Sequence, residues 1–201
     1  MKITALATAL FGALLISSAA PAAAAVITFD NLPGDDSTIA NGYSGLSWWD
    51  FSSVSNAYLP VAQEISTSGF DYSAVSGTNF ATNDFGNPAE FWADKGTFNF
   101  KSAYFTSAYD ANQAITVTGM LNGNALYSQT FSVTNTGPTL VTFDWAGINE
   151  VVVSPIDNGN GTVFGMDNLN ISAVPLPSGL PLFGSAILGL LLVSRNRARE
   201  A

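Results

Sequence analysis

Ile115-Thr116-Val117-Thr118-Gly119-Met120-Leu121, then Asn122-Gly123-Asn124, then Ala125-Leu126-Tyr127-Ser128-Gln129-Thr130-Phe131, is the stretch that decides the fold. Apolar and polar residues alternate on both sides of an Asn-Gly pair. A period of two is the mark of a strand with one buried face. Asn-Gly between two such runs marks a hairpin, because both residues accept positive φ. A three-residue loop at 122–124 sets Leu121 opposite Ala125 and Ile115 opposite Phe131. That register gathers Ile115, Val117, Leu121, Ala125, Tyr127 and Phe131 on one face. Thr116, Thr118, Ser128 and Thr130 take the other, with Met120 and Leu126 near the turn. One face is dry and one wet, as in one layer of a β-sandwich.

The rest of the middle of the chain has the same texture. Strand candidates fall at 26–29, 45–51, 96–106, 114–121, 125–133, 140–144, 150–154 and 163–172, separated by Gly, Asn, Asp and Ser. No window has helical periodicity. Strands with turn signals at this spacing give an all-β fold, a single sandwich of jelly-roll type. Residues 52–95 are less regular and carry Phe70, Tyr72, Phe80, Phe85, Phe91 and Trp92. They read as long loops over one rim, where binding residues concentrate. Trp48 and Trp49 are adjacent on a candidate strand and so point to opposite faces. One enters the core; the other is available as a stacking platform for a sugar ring, or is covered by the loops. Trp92 and Trp145 read as core or rim packing.

Residues 26–173, about 148 of them, suffice for one domain with a real core. They hold two basic residues, Lys95 and Lys101, against fourteen acidic ones, a net charge of −12. Nucleic acid and anionic membranes are poor partners for such a surface; neutral polysaccharide or a divalent cation suits it better. The chain has no Cys and no His. Disulfides therefore play no part in its stability, and Ser-His-Asp catalysis and His/Cys metal sites are excluded. Remaining enzyme chemistry would rest on carboxylates, Ser/Thr, Tyr or Lys. Glu64, Asp84, Glu90 and Asp94 fall near Trp92 and could supply the pair that glycoside hydrolysis needs, or could be solvated loop charges. Asp157-Asn158-Gly159-Asn160-Gly161 departs from the calcium-loop pattern and reads as a turn, as does Leu32-Pro33-Gly34-Asp35-Asp36.

Both ends of the chain are addressed. Lys2, an apolar run to Ile16 and the small-residue stretch to Ala25 make a secretory signal peptide over 1–25, with cleavage after Ala24 or Ala25. At the other end come Val174, Pro175, Leu176 and Pro177, an apolar run, and a basic stop of Arg195, Arg197 and Arg199. A helix over about 180–193 would span roughly 20 Å, short of a hydrocarbon core of about 30 Å. Motif, apolar run and basic end occur in order over about 28 residues. This tail, 174–201, resembles the PEP-CTERM class of sorting signals in its V-P-L-P-A variant, with Ser178 in place of the usual alanine. The resemblance implies processing by an exosortase near Pro177. It also implies export across the inner membrane of a Gram-negative bacterium, transient anchoring, then release or transfer to the cell surface or extracellular matrix. An ordinary single-pass anchor is the alternative.

The middle opens with Ile27-Thr28-Phe29-Asp30 and closes with Phe164-Gly165-Met166-Asp167-Asn168-Leu169. These segments resemble the first and last strands of galactose-binding-like and carbohydrate-binding jelly rolls. The resemblance implies that the two strands lie together and that Asp30 and Asp167 could share a structural Ca²⁺ through oxygen ligands; turn or edge hydrogen bonds are the alternative for these residues. The function expected is non-enzymatic: an exported surface or matrix protein, with polysaccharide as a partner bound at Trp48 or Trp49. A carboxylate-dependent glycan hydrolase and a purely structural matrix protein are the alternatives.

Overall fold

A computed structural model describes residues 24–57, 68–157, 159 and 161–173. The sorting motif, the helix over 180–193, the basic stop, most of the signal segment and Glu64 lie outside the described residues. Twelve strands are assigned among the described ones: β1 Ala24–Ile27, β2 Asp35–Thr38, β3 Ser47–Trp49, β4 Phe51–Ser55, β5 Asn79–Asn83, β6 Ala89–Trp92, β7 Phe98–Ser107, β8 Gln113–Leu121, β9 Asn124–Val133, β10 Thr139–Ile148, β11 Glu150–Pro155 and β12 Phe164–Ala173. They form two antiparallel sheets. One has seven strands in the order β10-β7-β12-β5-β4-β2, with β1 also on β12; the other runs β3-β6-β11-β8-β9. This is the all-β sandwich expected.

The hairpin of β8 and β9 keeps the expected far register, Ile115 opposite Phe131, but reaches it differently. The loop has two residues, Asn122 and Gly123, and Leu121 pairs with Asn124. Both loop residues have positive φ, 52° and 77°, as a turn matched to strand twist requires. A bulge between Gly119 and Met120 then leaves Leu126 unopposed and shifts the pairing by one. Ala125 is therefore exposed rather than on the dry face, while Tyr127 and Phe131 pack against the core.

The core is aromatic. Phe29, Phe51, Phe91, Phe100, Phe105 and Phe164 are fully buried between the sheets. Edge-on pairs such as Phe91–Phe100 (5.8 Å, 87°) and Phe51–Phe164 (6.2 Å, 81°) suit the ring quadrupoles. Trp145 is core as expected, stacked on Tyr127 at 5.4 Å.

Two departures concern the stretch around Trp49. The single strand expected at 45–51 is two strands in different sheets, because Asp50 adopts φ 52° and turns the chain from one layer to the other. The region read as long loops contains β4, β5 and β6. All five residues of β5, Asn79-Phe-Ala-Thr-Asn83, are buried. A strand covered on both faces shows no alternation, and this one is also rich in polar residues.

Candidate functional site

The two adjacent tryptophans divide between the faces of β3. Trp48 is 3 % exposed. It packs edge-on against Phe29 at 5.8 Å and Phe51 at 5.6 Å, and its Nε1–H donates to the Tyr43 carbonyl at 3.1 Å. It is structural, and its buried N–H is satisfied. Trp49 is 61 % exposed on the outer face of the five-stranded sheet. None of the described residues of 52–95 covers its ring to more than this extent.

Register places Trp49 in a defined neighbourhood. Across the sheet one row runs Trp49, Glu90, Val152, Thr118, Ser128. The next row on that face begins Ser47, Trp92, Glu150, Met120. Two tryptophans and two glutamates therefore alternate like squares on a board, each Trp directly opposite or beside a carboxylate. Trp92 and both glutamates are half-buried. Partial burial, then Glu150 and then Asp50, push the Glu90 carboxyl above the ordinary range. The face offers flat aromatic surface for a sugar ring and carboxylate oxygens to accept its hydroxyls.

The other expected carboxylates separate. Asp94 accepts a hydrogen bond from Ser47 Oγ at 2.8 Å. Asp84 follows β5, in the opposite sheet from Glu90. Glu150, which sequence reasoning passed over, is the residue that joins Glu90. Its place depends on β11 pairing with β6, which no local pattern announces.

Asp30 and Asp167 do come together, in a specific role. β12 pairs with β7 along one edge, and on its other edge with β5 at Gly165 and Met166 and with β1 from Leu169 onward. Asp167 and Asn168 sit at the change of partner, where Asn168 bulges out at φ 50°. Asp167 is fully buried. Its Oδ2 accepts from the N–H groups of Val75 (2.7 Å) and Ser76 (3.0 Å), and its Oδ1 from that of Asn168 (2.6 Å). Asp30 Oδ1 accepts from Thr78 N–H (2.9 Å) and Asn79 N–H (3.2 Å). Burial pushes the Asp167 carboxyl up despite these bonds, and Asp30 adds to the shift. The pair itself offers four carboxylate oxygens toward a cation. Ca²⁺ takes six to eight oxygens, and among the described residues no third acidic side chain joins these two. Three of the four carboxylate oxygens already face N–H donors, which a cation would have to displace.

No family model and no curated protein matches this chain. Solved structures with some likeness include three of low sequence identity. An arabinose-bound GH51 α-L-arabinofuranosidase is 10% identical, with a TM-score of 0.42 over 72% of this chain and 25% of that one; the present chain thus spans a quarter of it. The K2 cleaved adhesin domain of Lys-gingipain is 14% identical, with a TM-score of 0.42 over 76% and 100% of the two chains. The module TmCBM61, in complex with beta-1,4-galactotriose, is 9% identical, with a TM-score of 0.36 over 67% and 94%.

Proposed function

We propose that this chain is an exported, non-enzymatic polysaccharide-binding protein that takes its ligand on the outer face of the five-stranded sheet. The observation that carries this reading is the exposure of Trp49 beside Glu90, with Trp92 and Glu150 in the next row. A large aromatic side chain left in water on a sheet face is a ready surface for the apolar face of a sugar ring. The net charge of −12 over residues 26–173 favours a neutral or cationic ligand chain over an acidic one. The N-terminal segment and the Val174–Pro177 motif with its basic stop complete the proposal: export, exosortase processing, and residence at the surface or in the matrix. The reading stands without Ca²⁺, since N–H donors face three of the four oxygens of Asp30 and Asp167; a Ca²⁺-dependent melting temperature would add that role.

The test is tryptophan fluorescence. Titrating the full-length protein with extracellular polysaccharide from its own producer should shift the emission and shield it from acrylamide. An unchanged spectrum at saturating polysaccharide would leave the matrix reading, in which the sandwich is structural only.

The Glu90–Glu150 pair favours a second reading, a glycan hydrolase in which Glu90, its carboxyl pushed up, acts as the acid. Release of reducing ends that disappears in Glu90→Gln would support it.

A further inference from the structure

The outer face of the seven-stranded sheet holds a cleft of about 210 Å³ that the Trp49 face does not use. Asp36 of β2 and Asp84, after β5, line it together with Phe85, Tyr109 and Phe70. Phe85 is 97 % exposed and Tyr109 is 42 % exposed. Phe85 is held in water by a backbone at φ 54°. A bulky residue in that conformation is strained, and nothing in the fold is gained by its ring.

A second observation is independent of the acidic pair. Thr82 of β5 lines the same cleft and is 4 % exposed, yet its Oγ1 has no hydrogen-bond partner among the described residues. A buried hydroxyl without a partner costs stability; Oγ1 itself is enclosed, so a polar ligand group would satisfy it once the Thr82 side chain turns to another χ1 rotamer. The carboxylates crowd each other as well. Partial burial, Asp84 and Asp35 push the Asp36 carboxyl up, so a positive charge between them would be welcome.

The geometry points to a sugar ring bearing a free ammonium group, a hexosamine unit of a glycan, as the occupant of this cleft. Asp36 and Asp84 receive the ammonium and a neighbouring hydroxyl, Phe85 and Tyr109 cover the ring, and Thr82 Oγ1 bonds a further hydroxyl. Two carboxylates alone make a poor cage for a divalent ion, whereas ammonium over an aromatic face gains from the ring quadrupole as well. A cleft of this volume holds a single ring rather than a drug-sized ligand. The assignment concerns a different surface from the Trp49 face and stands if that face binds nothing.

The experiment is calorimetric titration of the full-length protein at about pH 6, where a ligand amine of ordinary basicity carries its proton. The probes are glucosamine tetramer, its fully N-acetylated counterpart and tetralysine. The glucosamine tetramer should bind at least about tenfold more tightly than either comparator, a difference of about 1.4 kcal/mol. Measured in a Trp49→Ala background, which removes any binding at the other face, Asp84→Asn and Thr82→Val should each weaken it about tenfold. Phe85→Ala serves where another variant fails to fold, since so exposed a ring supports no packing. Equal binding of the acetylated tetramer would overturn the charge recognition. Equal binding of tetralysine would make the cleft a general cation or peptide site. Full affinity in Phe85→Ala would place the ligand elsewhere.

Discussion

Asp30 and Asp167 hold opposite ends of one short loop, Asp167 through the N–H groups of Val75 and Ser76 and Asp30 through those of Thr78 and Asn79. Between these grips Gly77 runs so close to Asp30 that a Cβ there would lie 1.9 Å from its Oδ1. The loop leads into β5, whose place beside β12 is vacated where β1 ends. The two carboxylates thus fasten the joint between the first and last strands and the middle of the sheet. Asp167→Ala would strand buried N–H groups at about 1–3 kcal/mol each. A fall in melting temperature of several degrees, larger than for Asp30→Ala at its exposed site, is the expected outcome by calorimetry. Equal small effects would contradict the clamp.

The clamp also sets an expectation for Ca²⁺. With the N–H donors in place, millimolar Ca²⁺ and a chelator should give the same melting temperature. A Ca²⁺-induced rise would mean that Asp30 and Asp167 turn from the loop toward a cation.

Acid should stabilise this protein before it harms it. Asp167, Glu90 and Asp36 all have carboxyls pushed up in the folded state, with burial as the first cause in each. The native state therefore holds its protons more tightly than the unfolded chain, and stability falls as pH rises through the folded values. This contribution is present in full below the ordinary carboxylate range near 4 and is lost toward neutrality. Repulsion among the fourteen acidic residues of 26–173 acts in the same direction. The melting temperature at about pH 5 should exceed that at about pH 7.5; a steady decline from neutrality down to pH 5 would contradict this.

Gly119 is required by packing rather than by a turn. A Cβ there would meet the Trp145 ring at 2.7 Å and the Ile148 side chain at 3.3 Å. Gly119→Ala should cost about 1–3 kcal/mol by overpacking, read as a lower denaturation midpoint with unchanged slope. Stability equal to wild type would show that the Trp145–Tyr127 stack moves freely.

What the sequence revealed follows from periodicity. β8 and β9 alternate cleanly because one face is wet, so the hairpin and its far register were legible; the bulge at Leu126 was not, since a three-residue loop gives the same pairing at Ile115 and Phe131. The division of Trp48 from Trp49 was legible from strand geometry, but which one faces water was not. β5 escaped because both faces are covered and Asn79, Thr82 and Asn83 look like loop residues. Glu150 escaped because its neighbours Trp92 and Glu90 arrive by long-range pairing.

The central claim is that Trp49 is a binding residue and Trp48 a core one. Cosedimentation of the full-length protein with its producer's extracellular polysaccharide, beside a thermal melt, tests it directly. Trp49→Ala should lose most of the bound fraction at an unchanged melting temperature, while Trp48→Ala, which empties a buried site, should lose about 3–5 kcal/mol of stability. Undiminished cosedimentation of a folded Trp49→Ala protein would contradict the account.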